Sequence, residues 1–151
     1  MKDSPYHYTE CGLDNIYLLN GYKLTKSPRG QCVSIHDLDG LHRAIGLFLV
    51  TAKRDLSGEE IRFLRHEMLM SQTTLAQLLG TSEQAVRRWE RSKTNIPKSS
   101  EHVLRLLYRE HTHNQHGKIS TLLKQIATLE EEEDHKRFLF KDTGKGWKSA
   151  A

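Results

Sequence analysis

Between Met70 and Pro97 the chain reads MSQTTLAQLLGTSEQAVRRWERSKTNIP, a stretch that admits little besides two short helices set across a tight turn. Ser71 has the side chain of an N-cap, and Leu75, Ala76 and Leu79 follow at helical spacing. Gly80 ends the first helix, because glycine enters the left-handed C-cap conformation without Cβ strain. Ser82 caps the second helix. There Val86 and Trp89 lie three residues apart and must face inward, so Glu83, Gln84, Arg87, Arg88 and Arg91 project from the opposite side. A third helix is expected just upstream, opened by Ser57 and Glu60 as a capping box, with Ile61, Leu64 and Met68 on its buried face.

The outward side of the second helix carries glutamine and arginine in its N-terminal half. These side chains suit base edges in a major groove, glutamine matching adenine and arginine guanine, while a carboxylate can accept from cytosine. Glu83, Gln84, Arg87 and Arg88 are therefore the expected base-contacting residues, and Arg62, Ser71, Gln72, Arg91, Lys93 and Thr94 the expected phosphate contacts. Ser71, Gln72, Leu75, Ala76, Leu79, Gly80, Trp89 and Glu90 together resemble the helix-turn-helix of the Cro/repressor (XRE) superfamily, with its SQxxLAxxLG segment and terminal WE pair. The superfamily includes phage repressors, Cro proteins and many antitoxins. The resemblance implies a five-helix domain, a structural ion pair between Arg65 and Glu90, and a transcriptional regulator, a repressor first. Composition, with two cysteines and no membrane run or signal core, places it in the cytoplasm. Glu83 stands where several phage repressors carry glutamine, so their operator sequences do not transfer.

Around this core the pattern predicts an α+β chain in three parts. In residues 1–53, Asn15–Leu19 and Tyr22–Lys26 flank Asn20-Gly21, a pair suited to a two-residue hairpin turn. The breaker Ser27-Pro28-Arg29-Gly30 leads to a third strand, Gln31–His36. A helix capped by Asp39 then turns Leu41, Ile45, Phe48 and Leu49 to one side. Residues 54–113 form the helix-turn-helix domain, closed by a helix that Ser99 or Ser100 caps and that carries Val103, Leu104, Leu107 and Tyr108. Residues 114–151 hold an amphipathic helix, Lys118–Glu133, with Ile119, Leu122, Leu123, Ile126 and Leu129 on one stripe, then a short strand at Arg137–Phe140 and a frayed end from Asp142. That stripe is either a homodimer seam within residues 100–129 or a face that packs back on residues 1–53. A dimer suits the chemistry, since one recognition helix spans few base pairs and paired half-sites about 34–36 Å apart multiply the discrimination.

A small β module ahead of such a domain also resembles the MqsA-like and HigA-like antitoxins, which implies a toxin partner and, in the former, zinc held by paired CxxC motifs. Those pairs are missing here. His7, Cys11, Cys32 and His36 have the donor types of a tetrahedral zinc site at an unusual spacing, and a strand cysteine reads first as a small core residue, so no cofactor is expected. The His111, His113, His116 tract and the acidic run Glu130–Asp134 read as solvated. With 23 basic against 19 acidic side chains the net charge is +4, so phosphate affinity must come from local placement rather than from a polycation. No apolar run approaches the ~20 residues of a membrane span, the N-terminus has no apolar signal core, and two cysteines build no disulfide framework. No GxSxG, Walker or HExxH pattern supports catalysis. Three readings follow: an operator-binding regulator, an antitoxin that also binds a toxin, and a protein-interaction module without DNA binding.

Overall fold

The computed structural model describes residues 5–113, 117–129 and 137–150. Two antiparallel ribbons come first: β1 (Tyr6–Tyr8) pairs with β2 (Ile16–Leu18), and β3 (Tyr22–Ser27) with β4 (Gly30–Ile35). The hairpin expected across Asn20-Gly21 does not form. Tyr8, Leu13 and Leu18 are buried, so β2 gains more by folding back on β1, which places both over the helices, than by joining the exposed Tyr22–Ser27 segment. Asn20-Gly21 becomes the link between ribbons, where the Gly21 carbonyl accepts from the His36 amide at 2.8 Å. Ser27-Pro28-Arg29-Gly30, expected as a breaker, is the β3–β4 turn itself, with Ser27 opposite Gly30.

Helix α1 (Leu38–Thr51) starts two residues earlier than expected. Its cap is Asp37, whose carboxylate accepts from the Gly40 amide at 3.1 Å, and Asp39 falls inside the first turn. Ile45, Leu49 and Val50 are buried on it, whereas Phe48, expected on the same side, is 59% exposed. Four helices then lie within residues 54–113: α2 (Gly58–Glu67), α3 (Gln72–Leu79), α4 (Glu83–Glu90) and α5 (Lys98–Thr112). Helix α1 supplies a fifth by packing along α5, where Gly46 meets Tyr108 so closely that an added Cβ would overlap the phenol. Helix α5 begins at Pro97 without a side-chain cap, and Ser99 and Ser100 sit inside its first turn.

Leu64, Leu75, Val86 and Leu104 are fully buried at the centre, and one apolar cluster runs from Tyr8 through α1 to Tyr108. The core therefore crosses residue 53, and the β1–β2 ribbon and α1 help close it. Helix α6 (Lys118–Ala127) packs on α3 and α5 with Ile119 and Leu123 against the core. Its first turn is held by the buried Glu110 carboxylate, which accepts from the Ile119 amide at 2.6 Å. Leu122, Ile126 and Leu129 stay exposed. The helix stops at Ala127, with Thr128 as its C-cap, short of the expected end at Glu133; the run Glu130–Asp134 lies outside the described residues. The last segment is a hairpin, β5 (Phe140–Asp142) with β6 (Trp147–Ser149), rather than a strand at 137–140 followed by a frayed end. The turn chemistry explains the difference: Asp142 Oδ1 accepts from the Gly144 amide and the Gly146 carbonyl from the Thr143 amide, both at 2.9 Å.

Candidate nucleic-acid interface

The interface is built on the α3–α4 pair. Ser71 and Ser82 each accept from the amide three residues on, at 3.0 and 3.1 Å, and so fix where both helices begin. Gly80 ends α3 at φ 66°, and the Thr81 amide returns to the Ala76 carbonyl at 2.9 Å. Leu75, Ala76 and Leu78 are buried on α3, so Leu78 rather than Leu79 completes the inner stripe. On α4 the inner residues are Val86 and Trp89. Glu83, Gln84, Arg87 and Arg88 are exposed, as the three-residue spacing requires.

Behind the exposed row lies a buried polar clamp. Arg65 donates from Nε to Glu90 Oε2 at 2.7 Å and from Nη2 to Oε1 at 2.8 Å, a two-pronged pair joining the end of α2 to the end of α4. Its Nη1 donates to the Met70 carbonyl at 2.9 Å, and Gln72 Nε2 donates to Glu90 Oε1 at 3.2 Å. Among the described residues no buried side-chain nitrogen or oxygen lacks a partner. The angle of α4 is thus held by apolar contacts on one side and by charge-assisted bonds at its C-terminal end. His66 sits beside this clamp, and burial, with Arg65 and Arg62 nearby, holds its imidazole below the usual histidine range.

Arg62, Ser71, Gln72, Thr73, Glu83, Arg87 and Arg91 line one shallow depression with the clamp at its floor. The structure brings these residues together; Lys93 and Thr94 follow α4 and are exposed. The expected set omits two contacts. Arg87 Nη2 donates to Glu83 Oε1 at 2.9 Å, and Gln72 shares its amide with Glu90. The first has a signal in its i, i+4 spacing. The second needs the fold.

The zinc donors do not converge. His7 Nε2 contacts the Asp14 carbonyl at 2.6 Å and its ring stacks on Tyr17, Cys11 is half-buried, and Cys32 lies exposed on β4. Burial pushes the Cys11 thiol up, so it is not an activated nucleophile. Among the described residues no three histidine, cysteine or acidic side chains are placed to hold a metal ion. His111 and His113 end near the C-terminus of α5, while His116 lies outside the described residues. No described helix is long and apolar enough to cross a membrane.

A capped α3, a glycine turn and an α4 whose outer face is free to enter a groove define a helix-turn-helix. Residues 61–99 match the family model described as Helix-turn-helix, and this segment is a domain of its Cro/C1 type, a class of DNA-binding regulators. No curated protein and no solved structure matches the chain.

Proposed function

We propose that the chain is a sequence-specific operator-binding repressor that reads the major groove with α4. One observation carries this reading: the exposed Glu83, Gln84, Arg87 and Arg88 stand on a helix whose inner face and C-terminal end are both locked. A rigid support is what lets a few side chains discriminate between bases. Gln84 and Arg88 are the principal base contacts. Glu83 orients Arg87, taking one of five guanidinium N–H groups and leaving the others for a guanine edge. Arg62, Ser71, Gln72, Arg91, Lys93 and Thr94 meet phosphates. Gln72 gives one N–H to Glu90 and keeps the second for a phosphate oxygen.

The reading includes a homodimer. Leu106 on α5, Leu122 and Ile126 on α6 and Leu129 just past its end are exposed apolar residues within the segment expected as the seam. Helix α6 does not use that segment alike throughout, since Leu123 packs on the core and Ile126 does not.

In vitro selection from a random duplex pool, followed by footprinting, tests the proposal. Gln84→Ala or Arg88→Ala is expected to weaken the selected duplex by roughly 1–3 kcal/mol and to relax the preference at one base pair. Unchanged discrimination in both variants overturns the assignment.

A further inference from the structure

The β3–β4 ribbon contributes almost nothing to the core. From Lys23 to Cys32 every residue is exposed, and only Tyr22, Val33 and Ile35 are half-buried, with the Tyr22 ring 5.1 Å from Tyr6 at the root. An isolated two-stranded ribbon is marginal on its own and rarely kept for stability alone. Its two six-residue strands nevertheless pair in full register from Tyr22–Ile35 to Ser27–Gly30. The tip is stiffened as well: Ser27 Oγ accepts from the Arg29 amide at 3.2 Å and donates to the Gly30 carbonyl at 3.0 Å, and Pro28 fixes its own φ.

Charge indicates what such an arm would meet. Between Asp14 and Asp37 the chain has no acidic residue, and the ribbon carries Lys23, Lys26 and Arg29. Alternation along β3 puts Lys23 and Lys26 on opposite faces, with Arg29 at the turn, so positive charge surrounds the outer part of the arm. Six residues per strand give a reach of about 20 Å. The ribbon that roots it, β1–β2, lies next to the interface: Glu10, Cys11 and Gly12 line a cleft with Arg62 and Glu90, and those two residues also line the depression on the α3–α4 face.

We infer that the β3–β4 ribbon is a second DNA-contacting element, which sets Lys23, Lys26 and Arg29 against backbone phosphates flanking the site read by α4. The inference rests on the proposed operator binding. An acid-free arm beside a helix that engages a duplex has a polyanion within reach, and the backbone contacts it makes position the protein without reading sequence.

The test uses the full chain and duplexes selected by it, with the binding constant measured against salt concentration. Replacing Lys23, Lys26 and Arg29 together by Gln is expected to make the slope of log K against log salt shallower by about 2–3, near 0.9 per phosphate lost, on selected and scrambled duplexes alike. Protection of the flanks should shrink while base preference stays. Trimming the flanks should weaken the wild type and leave the triple variant nearly unchanged. The single change Arg29→Gln should lower the slope by about 1. Arg88→Ala serves as the opposite control, losing base preference with the slope kept within about one unit. An unchanged slope and footprint in the triple variant, with Arg88→Ala still losing preference, overturns the ribbon's role alone. Failure of the wild type to select any duplex overturns both readings.

Discussion

Breaking the Arg65–Glu90 clamp should unfold the domain more than it should remove a DNA contact. Each residue is 8% exposed, so replacing Arg65 by Met leaves a carboxylate inside with only the Gln72 amide to answer it, and the Met70 carbonyl loses its donor. Stranding one partner of a buried pair costs about 3–5 kcal/mol. For a chain of this size each kcal/mol lowers Tm by roughly 2–4 °C, so the single variant should melt about 6–20 °C early. Glu90→Gln keeps an acceptor but leaves the guanidinium charge uncompensated, and should lie at the lower end of that range. The double variant, Arg65→Met with Glu90→Gln, removes both charges and should be less destabilised than the sum of the singles by about 2 kcal/mol or more. Urea unfolding followed by circular dichroism, with comparable slopes for the four proteins, measures the cycle. Additivity within about 0.5 kcal/mol would refute an energetic pair. In either single variant the loss of DNA binding should track the unfolded fraction, because Arg65 and Glu90 lie behind the exposed row.

Gly46→Ala should destabilise by about 1–3 kcal/mol or more, read in the same urea assay, since its Cβ would overlap Tyr108 at the α1–α5 contact; wild-type stability would show that the helices part without cost. A chain begun at Lys53 lacks Tyr8, Leu13, Leu18, Ile45, Leu49 and Val50 from the core and should fail to give a cooperative melt, while a folded, DNA-binding product would make residues 1–52 dispensable. Ile126→Asp should convert a dimer to a monomer in light scattering with little change in melting temperature, whereas Leu123→Asp should lower the melting temperature; a monomer in the wild type, both free and on operator, would remove the seam. Burial raises the Tyr8 and Tyr108 hydroxyls to about 12, so the folded state keeps them protonated; their stabilisation is complete below pH 10 and is lost as pH rises toward 12. A late phenolate absorbance phase that coincides with unfolding would confirm this, and a single early phase would contradict it.

The helix-turn-helix was legible because its determinants are local. Ser57 with Glu60, Ser71, Ser82 and Gly80 act on amides and carbonyls within four residues, and the inward residues of α4 follow from helical spacing alone. Arg65 and Glu90 entered through the superfamily resemblance, since no periodicity brings together residues 25 apart. Choices between distant partners were made only by the tertiary structure. Asn20-Gly21 has the chemistry of a hairpin turn, yet β2 pairs with β1, because Leu18 and Tyr8 then reach the core beneath them. Periodicity placed Leu123 and Ile126 on one stripe, and only the position of α3 and α5 decided that the first is covered. The Asp37 cap displaced Asp39 because it takes a left-handed backbone at φ 49°, a conformation aspartate tolerates but sequence pattern does not signal. Capping and turn formation cost or gain free energy within a few residues. Strand partners and helix faces are settled by which long-range arrangement buries the most apolar surface, and that comparison exists only once the whole chain is folded.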